Sequence, residues 1–353
     1  MSRRWGQHFL RSNHYLDGIA SCIPSSRVAL EIGGGSGNLT RKVVGKIEDV
    51  LYVSEIDPRF HPVLQQISPK IRVLGDFLKL DLGSLSPLPE SIFGNLPYFI
   101  TSRIIEKTAL YYLKVICPDP DGAPQISDGS ACEAEPHEAG TPVPGVDFTS
   151  GSACGKKPRG EGLAEPVKLK PACFLVQREV AHRIVASPGS RDYSRLSVLV
   201  RLVFKPEKLF DVPPGAFSPP PEVHSSLVKL TPLKEPPLFR LLRSEYRHPG
   251  AFLRSFGNFI SFVRLLFNQR NRKLSKVLRW AFKKGYFEMP KTKKVPPGLF
   301  SEDDLRTDEL FYEVEADLLE EDLKEFRNLL KKRVFQLSVE ELMLVYRILF
   351  QAT

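Results

Sequence analysis

From Val28 to Leu230 the chain alternates short, β-branched apolar runs with stretches of helical period. The runs are Val28 to Ile32, Val50 to Ser54, Ile71 to Leu74, Ser91 to Phe93, Ala172 to Gln177, Val203 to Val212 and Ser225 to Leu230. Runs this short and this continuously apolar suit strands buried on both faces of a parallel sheet. Helical repeats separate them, at Leu39, Val43 and Val44, from Pro58 to Gln66, from Thr101 to Tyr112 and from Arg178 to Ser187. A further helix starts around Arg191 to Ser194. Repeated strand–helix alternation predicts a doubly wound α/β domain, with Ser225 to Leu230 closing the sheet as its final strand. Pro206 interrupts the run before it.

Ligands of open α/β sheets bind just beyond the carboxyl ends of the strands, so the residues that follow each run carry the functional argument. Val28 to Ile32 runs into Gly33-Gly34-Gly35-Ser36-Gly37. A turn without side chains lets backbone approach a ligand closely. It lacks Gly-Lys-Ser/Thr, so it is not a phosphate-cradling loop, and it matches the dinucleotide fingerprint only loosely. The second strand ends in Glu55 and Asp57. Glu55 stands about 20 residues beyond the glycines, where a carboxylate can hold two ribose hydroxyls. A solvated acidic loop is the plain alternative. After the third strand come Gly75-Asp76-Phe77. Asp76 can accept a hydrogen bond from an adenine amino group with Phe77 beside the ring, or it can cap a helix.

The fourth strand leads into Asn95-Leu96-Pro97-Tyr98. The Asn95 amide oxygen accepts hydrogen bonds. Leu96, preceding proline, is pushed toward an extended conformation that can turn carbonyls inward. Tyr98 offers a face on which a base can stack. An ordinary strand-to-helix turn built from Asn and Pro explains the same residues structurally.

Beyond the helix from Thr101, residues 117 to about 171 are rich in Pro, Gly, Ser, Ala and Glu. Such a segment cannot bury enough surface to offset the entropy of ordering. It reads as a disordered insertion whose ends, Lys114 and Lys168, lie close together. The interrupted α/β domain then spans residues 1–232, and residues 233–353 form a helical, charged unit. Residues 264 to 294 are strongly basic, including Arg270, Arg272, Lys273 and Lys276, with Leu274, Val277 and Leu278 interleaved. One face can pack while the other meets phosphates, or simply meets water. The acidic stretch from 302 to 325 can balance it. Ser338 and Glu341 spell a capping box for a last amphipathic helix.

The whole 353-residue chain carries a formal net charge of +9, which favours a polyanionic partner without bearing on fold. Its 5 cysteines are odd in number and lack metal-ligand spacing, so they read as reduced thiols and no metal is expected. No apolar run is long enough to span a bilayer. The expectation is a cytoplasmic protein with no membrane contact.

Taken in order, these blocks resemble the rRNA adenine N6-dimethyltransferase family, most of all the bacterial enzymes that modify two adjacent adenosines near the 3′ end of small-subunit rRNA. The resemblance rests on GQHFL (6 to 10), LEIGGGSGNLT (30 to 40), SEID (54 to 57), GDF (75 to 77) and FGNLPY (93 to 98). It continues in QREVAHRIVASPGSRDYSRLSVL (177 to 199), VPPGAFSPPPEVHSSLVKL (212 to 230), FNQRNRKLSKVL (267 to 278) and LSVEEL (337 to 342). It implies a class I, Rossmann-like methyltransferase sheet with a smaller C-terminal α-helical domain, S-adenosylmethionine as cofactor, and rRNA of an assembling small subunit as partner of a monomeric enzyme. By resemblance His8 and Leu10 cover the cofactor, Gly33 and Gly35 lie under it, and Glu55 holds the ribose. Asp76 and Phe77 take the adenine. Asn95 stands near both the methyl donor of the cofactor and the target, and with Leu96, Pro97 and Tyr98 it handles the target base, with Phe217 closing its other side. The rivals are large-subunit enzymes of the erythromycin-resistance type, a non-catalytic assembly factor on the same fold, and a DNA adenine methyltransferase.

Overall fold

The computed structural model describes residues 8–116, 167–237, 249–286 and 320–350, with the side chains of 249–254 and 320–323 left aside. Most of the insertion, the basic residues from 287 onward and most of the acidic stretch lie outside the described residues, as does the chain before His8.

A seven-stranded sheet forms the body. In chain order the strands are β2 (Ser26–Ile32), β3 (Ile47–Ser54), β4 (Ile71–Leu74), β5 (Ser91–Asn95), β6 (Ala172–Gln177), β7 (Phe204–Val212) and β9 (Ser225–Pro232). Two short strands, β1 (Phe9–Leu10) and β8 (Phe217–Ser218), pair separately and antiparallel. In space the large sheet runs β4-β3-β2-β5-β6-β9-β7. The first five of these are parallel, and β9 and β7 are antiparallel additions. The final strand therefore does not close the sheet. It inserts beside β6 and leaves β7 at the edge. Pro206 explains the choice, because a residue without an N–H is tolerated on an edge strand and not in the middle of a ladder.

The helices that place the site are α1 (Asn13–Cys22), α2 (Asn38–Val43), α3 (His61–Gln65), α4 (Thr101–Ile116), α5 (Arg178–Val185) and α6 (Arg195–Arg201). Ser12 occupies the cap position of α1. Ser194 caps α6, its backbone N–H donating to Ser197 Oγ at 2.9 Å. Tyr112, near the end of α4, donates to the Lys170 carbonyl at 2.8 Å. The described residues that flank the insertion are thus neighbours.

Alternate residues of β2 feed two cores. Val28, Leu30 and Ile32 point to one side with α4 and α6, while Ala29 points to the other with α1 and α2. The first core continues without a break into helices Pro249–Phe267, Leu274–Lys283 and Val339–Phe350, through Phe259, Phe262, Leu278, Leu342 and Tyr346. The capping box expected at Ser338 is formed reciprocally, with Ser338 N–H to Glu341 Oε2 at 2.8 Å and Glu341 N–H to Ser338 Oγ at 3.1 Å.

Candidate active site

The chain winds from β2 outward to β3 and β4, then returns to β5 on the other side of β2. That reversal opens a crevice at the carboxyl ends of β2 and β5. Ile32 and Gly94 are register partners there, so the glycine turn and Asn95 emerge side by side. A cavity of about 230 Å³ fills the crevice. Its walls include Gly33 to Gly35, Glu55, Asp76 and Phe77 at one end, and Asn95 to Tyr98 at the other. Gly33 adopts φ 77°, and a Cβ there would stand 3.3 Å from the Asn95 carbonyl oxygen. Only glycine accepts that backbone without strain.

At the glycine end, Glu55 is buried and organises the turn. Its Oε2 accepts from Gly35 N–H at 2.7 Å and its Oε1 from Asp57 N–H at 2.9 Å. Each oxygen keeps a second lone pair, so the carboxylate can still accept two hydroxyls. Asp76 takes the capping role and also faces the cavity. Its Oδ1 caps a short helical turn by accepting from Leu78 N–H at 2.9 Å, and the residue lines the cavity. Phe77 is buried beside it, with the Lys107 ammonium 5.6 Å from its ring centre.

Glu31 was not singled out from the sequence. It sits on the cavity wall, 1% exposed, and its Oε2 has no hydrogen-bond partner among the described residues. Burial pushes its carboxyl up to about 8, the Thr40 hydroxyl opposes the shift, and the charge of Glu55 adds to it. The available signal was a carboxylate in an otherwise apolar strand, one residue from its end.

At the other end, the Asn95 amide is oriented by the N-terminal segment, since its Nδ2 donates to the His8 carbonyl at 2.9 Å. That leaves Oδ1 without a partner among the described residues. The Pro97 carbonyl is taken up by Ile100 N–H at 3.3 Å and by the Thr101 hydroxyl at 3.0 Å. Tyr98 is held by a 2.7 Å bond between its hydroxyl and Ser225 Oγ. Burial raises the pKa of that phenol above its ordinary value, so it stays neutral. The His8 ring stacks on Tyr98 at 5.6 Å and 23°, and its Nδ1 lies 2.9 Å from the Pro219 carbonyl. One face of Tyr98 is therefore already covered.

Two expected groupings do not form as drawn. Phe217 does not line the cavity. Its pairing with Leu10 across β1 and β8 turns the ring into the second core, where it is 4% exposed. An aromatic in a proline-rich loop looks presented, but the two-strand ladder buries it. Leu10 shares that core and still touches the cavity wall. Among the basic residues, Arg270 is half-buried and donates to the Arg191 carbonyl at 2.7 Å, with its guanidinium 5.5 Å from the Phe335 ring centre. It ties the C-terminal helices to the loop before α6. Arg272, Lys273 and Lys276 are exposed and make no ion pair among the described residues.

Comparison with known proteins decides what this crevice belongs to. The family model for ribosomal RNA adenine dimethylase matches residues 1–299. The chain belongs to the ribosomal RNA adenine dimethylase family. A probable ribosomal RNA small subunit methyltransferase A of Pyrobaculum islandicum is 29% identical over 277 residues, 78% of this chain and 85% of the relative. A ribosomal RNA small subunit methyltransferase A of Dichelobacter nodosus is 30% identical over 296 residues, covering 81% and 83%. Among solved structures, a dimethyladenosine transferase from Plasmodium falciparum superposes with a TM-score of 0.55 at 21% identity, covering 96% of each chain. As in other dimethylases, the sheet is the class I methyltransferase sheet, and the protein is an enzyme of methyl transfer to adenine in rRNA.

Proposed function

We propose that this dimethylase transfers methyl groups from S-adenosylmethionine to the N6 atoms of two adjacent adenosines in the 3′-terminal hairpin of small-subunit rRNA. The relatives named small subunit methyltransferase A support that substrate. The single observation carrying the chemistry is the state of Asn95. With Nδ2 committed to the His8 carbonyl, its Oδ1 is the side-chain acceptor beside the glycine turn.

The residues present fit the cofactor. Glycines 33 and 35, both with positive φ, leave a floor without side chains. Glu55 retains lone pairs for ribose hydroxyls, and Asp76 retains Oδ2 for an adenine amino group. When bound, S-adenosylmethionine supplies a methyl group activated on a positively charged sulfur.

The protein's own task is positioning. An adenine amine is a poor nucleophile because its lone pair is delocalised into the ring. Asn95 Oδ1 accepts one of its N–H bonds. Since the Pro97 carbonyl is engaged, Leu96 contributes the backbone carbonyl that accepts the other. Two acceptors favour a pyramidal nitrogen with its lone pair free. Tyr98, held by Ser225, supplies the stacking surface, and the base exchanges with or faces His8. Orientation of this kind is worth roughly 7–11 kcal/mol, and the surplus proton leaves the methylated nitrogen after transfer, so no general base is needed. Flipping the base out costs a few kcal/mol, least in a single-stranded loop. Exposed Arg272, Lys273 and Lys276 face the phosphates, with residues 233–353 as the RNA-facing unit.

Mass spectrometry of rRNA from cells with and without the gene tests the target. Loss of dimethyladenosine from the small-subunit hairpin supports the reading, and loss from large-subunit rRNA overturns it. Asn95→Ala tests the site: methyl transfer should vanish while cofactor binding stays within a few-fold. Full activity in that variant would refute the assigned role.

A further inference from the structure

Among the described residues, five large apolar side chains are substantially exposed: Ile56, Val63, Phe99, Val223 and Tyr286. Only Ile56 and Phe99 also line the cavity. Ile56 follows Glu55 at the glycine end. Phe99 follows Tyr98 at the target end and is 69% exposed, the most of the five. It lies in the short helical turn Tyr98–Ile100. That turn is fixed on both sides, by the Tyr98 hydroxyl on Ser225 and by the Thr101 hydroxyl on the Pro97 carbonyl at 3.0 Å. The residue is therefore held on the cavity lining by a hydrogen-bonded turn, with most of its surface in water. One turn further on, at the start of α4, Arg103 is exposed and has no partner among the described residues.

We infer that Phe99 is a positioning residue for the RNA strand: its ring stacks on the nucleobase next to the one in the pocket, and Arg103 meets the adjoining phosphate. The inference rests on the proposed reading of Asn95 and Tyr98 as the target end. A polymer whose one base enters the crevice must lay a neighbouring nucleotide across its lip. Every base has a π-face, so an aromatic platform accepts either neighbour of the target. An adjacent cation supplies the backbone contact that sequence-independent binding uses. With two adjacent adenosines as substrate and one strand polarity in the site, the base on Phe99 is the other adenosine of the pair during one of the two methylations. In that step the ring holds one target while the other reacts.

The test is a double-mutant cycle on a synthetic hairpin RNA with two adjacent loop adenosines. Wild-type protein and Phe99→Ala are each assayed with the intact hairpin and with hairpins abasic at the nucleotide 5′ or 3′ of the target. Kd, KM and kcat are measured, together with the Kd for S-adenosylmethionine. Phe99→Ala should raise the RNA Kd and KM about ten-fold, with kcat and cofactor Kd little changed. An abasic neighbour should cost the wild type a similar factor and the variant almost nothing. Phe99→Trp should restore both binding and the abasic penalty. Unchanged RNA binding by Phe99→Ala, or penalties that multiply in full, overturns the inference while leaving the proposed function intact. A wild-type protein that binds cofactor but methylates neither the hairpin nor the assembling small subunit overturns both.

Discussion

Glu31 makes a quantitative prediction about stability that needs no ligand. Its carboxyl is fully enclosed, one oxygen has no partner, and its pKa rises from 4.5 to about 8 in the native state. Below pH 4.5 the group is protonated whether the chain is folded or not, and it contributes nothing to pH dependence. Between 4.5 and 8 the unfolded chain loses the proton and the folded one keeps it. The unfolded state then binds fewer protons, so stability falls as pH rises. Above 8 both states are ionised and the loss is complete. At about 1.4 kcal/mol per pH unit, the gap between the two pKa values amounts to about 5 kcal/mol. Glu31→Gln keeps the shape and removes the titration. Urea unfolding of both proteins at pH 5, 6, 7, 8 and 9 isolates the term, because every other ionisable group is common to the pair. The stability of Glu31→Gln relative to wild type should climb steadily from pH 5 and level off just above pH 8. A difference between the two that does not change with pH would refute a buried, protonated Glu31. The same side chain then has to be charged, and paired with something not yet identified.

The Glu55→Ala variant strands the amides of Gly35 and Asp57, at about 1–3 kcal/mol for each buried group left unsatisfied. It should melt several degrees lower and bind S-adenosylmethionine more weakly by calorimetry; an unchanged dissociation constant would remove Glu55 from the site. Charge reversal of Arg272, Lys273 and Lys276 together should weaken RNA binding and flatten its salt dependence. Arg270→Ala should instead lower the melting temperature with little change in that slope, because its guanidinium is spent on the Arg191 carbonyl and Phe335. A slope that responds to Arg270 alone would reverse these assignments. Gly94→Ala would place a Cβ 2.2 Å from the Ile32 carbonyl oxygen, which forces β2 and β5 apart at the crevice. Overpacking of this kind costs typically 1–3 kcal/mol and occasionally more, so a melting curve within a degree of wild type would show that the strands separate freely there.

What the sequence conveyed and what it withheld divide along one physical line. Signals that act within a few residues were legible: the apolar runs, the glycine turn and the Ser338–Glu341 capping box. Signals that depend on a partner far along the chain were not. Arg270 and Arg272 differ by two positions and carry the same charge, yet one meets a carbonyl 79 residues earlier and the other meets solvent. Phe217 shares its proline-rich surroundings with any exposed loop aromatic, and only its pairing with Leu10 buries it. Strand order behaves the same way. Buried runs such as Ala172–Gln177 and Ser225–Pro232 read alike, and Pro206, which interrupts its run, does not by itself say which strand that run borders. Asn95 shows why this matters for chemistry. Its amide is part of a motif visible at a glance, but the direction of its oxygen follows from a His8 carbonyl 87 residues away. The reactive geometry is thus a joint property of β5 and the N-terminal segment. A chain that kept the Asn-Leu-Pro-Tyr turn but lost the contact from His8 would leave that amide free to rotate, with its donor as readily as its acceptor toward the amine to be methylated.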